Sequence, residues 1–345
     1  MLASLMLLVG CEGETGPAGP AGDSGTAGCV TCHSDDTDIV ARTIQWENST
    51  HATGGTYERN SSSCSECHTS EGFVANLETG SPGSPTNPSP VGCFTCHAPH
   101  TEGDFSLRTT SPVTLDWVGG TDVFDYEEAN LCAHCHHARE LDPLVTATTV
   151  IDDLRWGPHH GPQANLLAGE GAYEFSKTAA YSNSAHTTAV DNGCVACHMA
   201  DPFGGQAGGH QFGVTYEYHG DEEPLISGCD VVGCHKDAAW LEEDGFNRTA
   251  SGDWDGDTEI EGVQDEIAGL MDLLRAELFT RGIIDVDDYV VAGDGEGGDP
   301  PPLSLTAAEA GALLNFRYIL EDGSHGFHNP AYARDMLQAA LDNLP

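Results

Sequence analysis

The sequence predicts a mainly α-helical chain with extensive coil, little sheet, a cofactor-filled core and a helical C-terminal cap. Three observations carry that expectation. Only 39% of residues are hydrophobic, while 42 are glycine and 18 are proline, so long regular elements must be few. Six cysteine pairs, each followed directly by histidine, are spread from Cys29 to His235. Beyond about residue 258 the apolar residues recur at helical spacing. A chain this rich in loops needs something besides aliphatic side chains at its centre.

The N-terminal segment reads as an export and anchoring device. Residues 2–10 (LASLMLLVG) are too few to span a bilayer but fit the apolar part of a secretion signal, so 1–10 is expected to be a signal peptide. A basic stretch before it is missing. Leu8-Val9-Gly10-Cys11 has lipobox form, with Cys11 as the lipidated mature N-terminus. The cysteine count agrees: twelve of the 13 pair off and Cys11 is left over. Glycines at 13, 16, 19, 22, 25 and 28 give a Gly-X-Y register, too short for a stable triple helix, so 11–28 is expected to be a tether.

From Cys29 onward the pairs carry the chemistry. Five sites are C-x-x-C-H: Cys29 and Cys32 with His33, Cys64 and Cys67 with His68, Cys93 and Cys96 with His97, Cys132 and Cys135 with His136, and Cys194 and Cys197 with His198. The sixth, Cys229 and Cys234 with His235, has four intervening residues. The spacing lets two thiols add across the vinyl groups of one haem while the next residue reaches the iron. Chance would supply about 0.02 such motifs at these residue frequencies. Zinc ribbons do not need histidine after every pair, and disulfides would leave the six histidines unexplained. The prediction is six covalently bound haem c groups. With about 35 residues per site the chain cannot wrap each haem separately, so the haems must pack against one another.

Six irons need six further ligands. Eleven other histidines exceed that number, whereas the five methionines are poorly placed, which favours bis-histidine ligation and low potentials. His51 lies between the first two motifs, His100 closely follows the third, and one of His159 and His160 is a further candidate, with His159 preferred. Arg139 and Arg155 are candidates for pairing with haem propionates.

Several segments resemble the multihaem cytochromes that include octahaem tetrathionate reductases, hydroxylamine oxidoreductases and pentahaem nitrite reductases. They resemble most closely the envelope electron-transfer cytochromes of metal-reducing bacteria. The segments are CFTCHAPH at 93–100, NLCAHCHHAR at 130–139, PHHGPQANLLAGEGAYEF at 158–175, SAHTTAVDNGCVACHM at 184–199, GGHQF from 208 and DGSHGFHNPAYARDML at 322–337. The resemblance implies His186, His210 and His328 as distal ligands, with His325 second to His328. His134, His137 and His219 are left as non-ligands. The lysine-bearing C-x-x-C-K motif of the nitrite reductases is missing, which weakens a catalytic reading.

After a turn-rich connector at 80–90 and the acidic stretch at 245–257, three helices are expected. Ile260, Val263, Ile267, Leu270, Leu274 and Leu278 mark the first; the Thr306-to-Glu309 capping box opens the second; Asn329 and Pro330 open the third. The domains expected are thus a haem domain at 29–244 and a linker with helical cap at 245–345, the cap supplying one distal histidine. Asp253, Asp255 and Asp257 could hold Ca²⁺, although the loop lacks the closing glutamate of an EF-hand. With 55 acidic against 12 basic residues the net charge is −43, which repels nucleic acid and favours cationic partners.

The function expected is electron transfer, not catalysis, by an outer-membrane lipoprotein facing the periplasm or the cell surface. Its partners would be redox proteins or extracellular acceptors. A reductase of a small nitrogen or sulfur oxyanion with one open haem is the alternative, and self-association into a conducting filament the second.

Overall fold

The computed structural model describes residues 37–115, 122–177, 179–243 and 245–345. The expected signal peptide, the Cys11 lipidation site and the tether lie outside them. So does the whole first motif, with Cys29, Cys32 and His33. Residues 41–345 form one unit by their contacts. Helices dominate, and the sheet consists of two-stranded antiparallel ribbons. No helix among the described residues is long and apolar enough to cross a membrane.

The haem-motif region is made of short helices joined by loops. They are α1 (Thr37–Glu47), α2 (Thr50–Thr53), α3 (Ser65–His68), α4 (Ser70–Thr79), α5 (Cys93–Cys96), α6 (Pro99–Glu102), α7 (Ala129–Ala133), α8 (Gln163–Ala168), α9 (Ala185–Ala189), α10 (Gly193–His198) and α11 (Ala239–Glu243). Three long helices follow: α12 (Val263–Thr280), α13 (Ala307–Asp322) and α14 (Pro330–Asn343).

The ends of the long helices obey their capping residues. Thr306 accepts from the Glu309 amide while Glu309 reaches back to the Thr306 amide, the reciprocal capping box. Asn329 accepts from the Tyr332 amide, and Pro330 occupies the first turn. The first long helix starts later than its apolar spacing suggested. Ile260 lies before the Gly262 cap and is 57% exposed, because Thr249 and Gly262 pair as an isolated bridge that holds this stretch extended.

The aliphatic core lies where the helices are long. Ile267, Leu270, Leu274 and Leu278 of α12 pack with Leu313, Leu314 and Phe316 of α13 and Met336 and Leu337 of α14. The same cluster takes in Trp156, Leu166 and Phe175 from the motif-bearing region. Strand β1 (Thr148–Ile151) pairs with β2 (Leu303–Thr306), and buried Asn315 exchanges hydrogen bonds with the Tyr173 backbone at 2.8 and 3.1 Å. The helical C-terminus therefore shares one core with residues 138–175. Around the fourth and fifth motifs the apolar cluster is small: Val113, Leu115, Phe124, Ala129, Ala133, Ala164 and Leu167. That contrast is what a region centred on something other than side chains requires.

Candidate functional site

Each described motif closes one helical turn. The amide of His68 donates to Cys64 O at 3.2 Å, that of His97 to Cys93 O at 2.9 Å and that of His136 to Cys132 O at 2.9 Å. His198 ends α10, which carries Cys194 and Cys197. The turn sets both thiols and the following imidazole on one local frame. No such frame is described for Cys29, Cys32 and His33, which precede the described residues.

The four-residue spacer of the sixth motif keeps that frame. The His235 amide donates to Cys229 O at 3.2 Å, the same closure bridged by two more residues. The surplus loops outward: Val232 is 88% exposed, and Gly233 takes φ +93° to bring the chain back. Cys234 is exposed while Cys229 is half-buried, as Cys93 and Cys96 are in the third motif, and the Cys234 amide donates to Val231 O at 3.1 Å. No disulfide joins the described cysteines.

The histidines meet in pairs. His51 faces His136 with ring centroids 6.1 Å apart. His68 faces His159 at 6.3 Å, His97 faces His210 at 6.3 Å, His198 faces His328 at 6.3 Å, and His235 faces His186 at 6.4 Å. A metal–imidazole bond is about 2.0 Å and the ring centroid lies about 1.2 Å beyond the nitrogen, so trans ligands on one metal put centroids about 6.4 Å apart. Tetrahedral ligation would bring them to about 5.2 Å. All five pairs lie at the trans spacing, and each joins a motif histidine to one from elsewhere in the chain. These residues fit a haem between each pair.

Different elements deliver the second histidine of each pair. His51 sits on α2, whose first turn is capped by the Ser49 side chain. His210 lies in a 3-10 turn, its amide held by Gln45 Oε1 at 3.0 Å. Gly209 beside it has φ +50°, and a Cβ there would fall 2.5 Å from that same oxygen. His159 takes φ +64°. Buried Asn329 connects two sites: it accepts from the Ser184 amide and donates to Asn183 and Thr187, which fixes the His186 helix against the helix that follows His328.

Burial lowers the proton affinity of most of these imidazoles. His51 falls to about 4 through burial and then the His136 charge; His159 falls to about 4 through burial and then Arg139. His68, His136, His186, His198, His210 and His235 are lowered as well, burial leading in each. A neutral imidazole is the form that ligates a metal. His328 is the exception. Burial is the largest influence and lowers it, but the charge and hydrogen bond of Asp322 together raise it.

The thiols show how the motifs adjoin. Cys67 is hydrogen-bonded to Cys135, and Cys132 to Cys194. Burial pushes the Cys96 thiol up to about 12, with Cys132 adding to the effect; it does the same to Cys229, with Cys197 and then Cys234 adding. The fourth motif thus adjoins the second and the fifth, and its charge reaches the third; a Cβ on Gly228, beside Cys229, would lie 3.1 Å from Cys197 Cα, so the fifth motif adjoins the sixth. Arg139 acts on Cys64, Cys67, His68 and His159, which places it at the second site.

The remaining candidates fall as follows. His100 stacks on Phe94 at 5.8 Å. His160 bonds Glu321, and His137 Nδ1 lies 2.7 Å from Ala133 O. His134 Nε2 is a buried nitrogen with no hydrogen-bond partner. In the acidic loop Asp253 and Asp255 meet Glu266, a residue the sequence pattern did not single out. Its carboxylate already accepts from the amides of Trp254, at 2.6 Å, and of Glu261, at 3.0 Å. Sequence spacing hides it because Glu266 belongs to α12.

No protein-family model matches this chain, and no curated protein matches it. Among solved structures it is similar to the outer cell wall cytochrome OcwA, with a TM-score of 0.50 at 19% sequence identity. The match covers 88% of this chain and 50% of that one, so the chain spans about half the length of its structural neighbour. At that identity the likeness is one of fold: this chain has the fold of part of a cytochrome.

Proposed function

We propose that this chain is a six-haem c-type cytochrome that transfers electrons in the cell envelope through irons held on both faces by histidine. The observation that carries the reading is the set of five histidine pairs at 6.1 to 6.4 Å, each built on a different C-x-x-C-H or C-x4-C-H motif. Each haem, when bound, supplies one Fe(III)/Fe(II) couple. Five of them would be held by Cys64 with Cys67, Cys93 with Cys96, Cys132 with Cys135, Cys194 with Cys197, and Cys229 with Cys234. The first motif then joins its haem through Cys29 and Cys32 and takes His33 and the remaining assigned histidine, His100.

Two features of the chain favour transfer over catalysis. Each described motif histidine faces a second histidine, so a haem held between them would have no coordination position left for a substrate. The fourth motif lies against the second and the fifth, so the polypeptide holds these sites against one another and does not wall one off. The surface charge of −43 suits basic redox partner proteins. Lipidation at Cys11 would anchor the chain to a membrane, and the cell-wall cytochrome fold of the structural neighbour agrees with an exported location.

The purified, exported protein tests this directly. Intact mass should exceed the processed chain by six haem masses, and electron paramagnetic resonance should show low-spin iron that does not take up cyanide. Five haems would remove one site from the proposal. A high-spin, cyanide-binding iron would turn the reading to an oxyanion reductase with one open haem.

A further inference from the structure

We propose that Asp322 is a positioning residue that lowers the potential of the iron held between His198 and His328. The inference rests on the haem reading above. His328 Nδ1 lies 2.7 Å from Asp322 Oδ1, and the Asp322 side chain is 0% exposed. The other oxygen of the carboxylate accepts from the Ser324 amide at 3.1 Å and from the Ser324 hydroxyl. Ser324 Oγ in turn accepts from the His328 amide at 3.3 Å. The imidazole is therefore held at ring and backbone by one compact turn.

The neighbours of the other assigned histidines differ in charge. His198 Nδ1 lies 2.8 Å from Phe212 O, His186 Nδ1 lies 3.1 Å from Phe327 O, and His97 Nδ1 lies 3.4 Å from Ser106 O. Those are neutral carbonyls. Among the described residues Asp322 makes no ion pair other than with His328. It also ends α13, where the last carbonyls add partial negative charge. Oxidised iron carries one more positive charge than reduced iron. A buried carboxylate on the ligand's second nitrogen makes that ligand more basic and favours the oxidised state. In a low-dielectric interior the charge is poorly screened. Because Gly228, next to Cys229, packs beside Cys197, the effect falls on the connection between the fifth and sixth sites.

The test is a spectropotentiometric titration of the full-length haem-loaded protein and of Asp322→Asn, with intact mass measured on the same samples. Asparagine keeps an acceptor at the same place and removes the charge. One transition should move upward by at least the 59 mV that corresponds to a tenfold change for a one-electron couple, while the haem mass is unchanged. Asp322→Glu should restore most of the wild-type value, which a purely structural role would not predict. Unmoved potentials in an Asp322→Asn protein that retains its haems overturn the proposal. If that variant does not load its haems, near-infrared magnetic circular dichroism of the wild type decides. One low-spin charge-transfer band must then stand apart from the rest, shifted to higher energy by the more strongly donating imidazole, and a single common band overturns the proposal. A wild-type mass without covalent haem is a different failure and removes the reading on which this inference rests.

Discussion

Glu170 shows how a single side chain records its surroundings. It lines a cavity of about 600 Å³ together with Glu174, Lys177, Tyr181 and Tyr332. Burial, then the charge and hydrogen bond of Asp122, raise its pKa from 4.5 to about 7. The folded chain thus holds a proton that the unfolded chain releases above pH 4.5. The stability this provides is complete below pH 4.5 and is lost as pH rises through 7. Glu170→Gln, neutral throughout, should raise the melting temperature at pH 8 and leave it unchanged at pH 4. An equal gain at both pH values would contradict this assignment. Lysine and tyrosine on the same wall, with Lys177 3.9 Å above the Tyr181 ring, keep the cavity mixed in charge.

At the scale of the element, the motif helices and the long helices follow different rules. A motif helix of four to six residues is too short to be stable alone. Its turn is closed onto the cysteine carbonyl, and in the second, fourth and fifth motifs a thiol also meets that of another motif. The sixth motif makes the point, since its two surplus residues loop outward yet leave its closure untouched. Deleting Val231 and Val232 would convert it to a standard two-residue spacer, and intact mass should show all haems retained. Loss of one haem on that deletion would mean that the outward loop is part of the site. The imidazole planes within pairs carry a second signature at this scale. They stand 66°, 83° and 82° apart at the His136, His68 and His235 sites, but 35° and 42° apart at the His97 and His198 sites.

Across the whole molecule two kinds of interior divide the work. The aliphatic core under α12, α13 and α14 makes a conventional contribution to stability, and it also positions His328, the proposed ligand of one iron. Leu274 is 0% exposed in that core. Leu274→Ala should cost about 2–5 kcal/mol in chemical denaturation. A loss below about 1 kcal/mol would mean that the helices contribute little to holding the rest. The motif region has a much smaller apolar cluster, so on the proposed reading its order would depend on crosslinked haem and on the paired histidines.

What could be read from the sequence was whatever depends on near neighbours along the chain. C-x-x-C-H identifies its thiols and proximal histidine because one helical turn brings them together in any context. Thr306 with Glu309, and Asn329 with Pro330, identify helix starts for the same reason, since a cap satisfies amides within its own first turn. The fold class followed from composition, because glycine and proline in such number leave little room for sheet. Which histidine stands opposite which was decided by tertiary structure alone. His51 meets His136 and His186 meets His235 only after intervening loops have been folded back, and no periodicity records such a return. The same holds for Asp322 on His328, six residues away across a glycine turn, and for Glu266 on the acidic loop. Local spacing reveals what one turn of backbone can enforce; the chain must close on itself before distant side chains acquire a common neighbour.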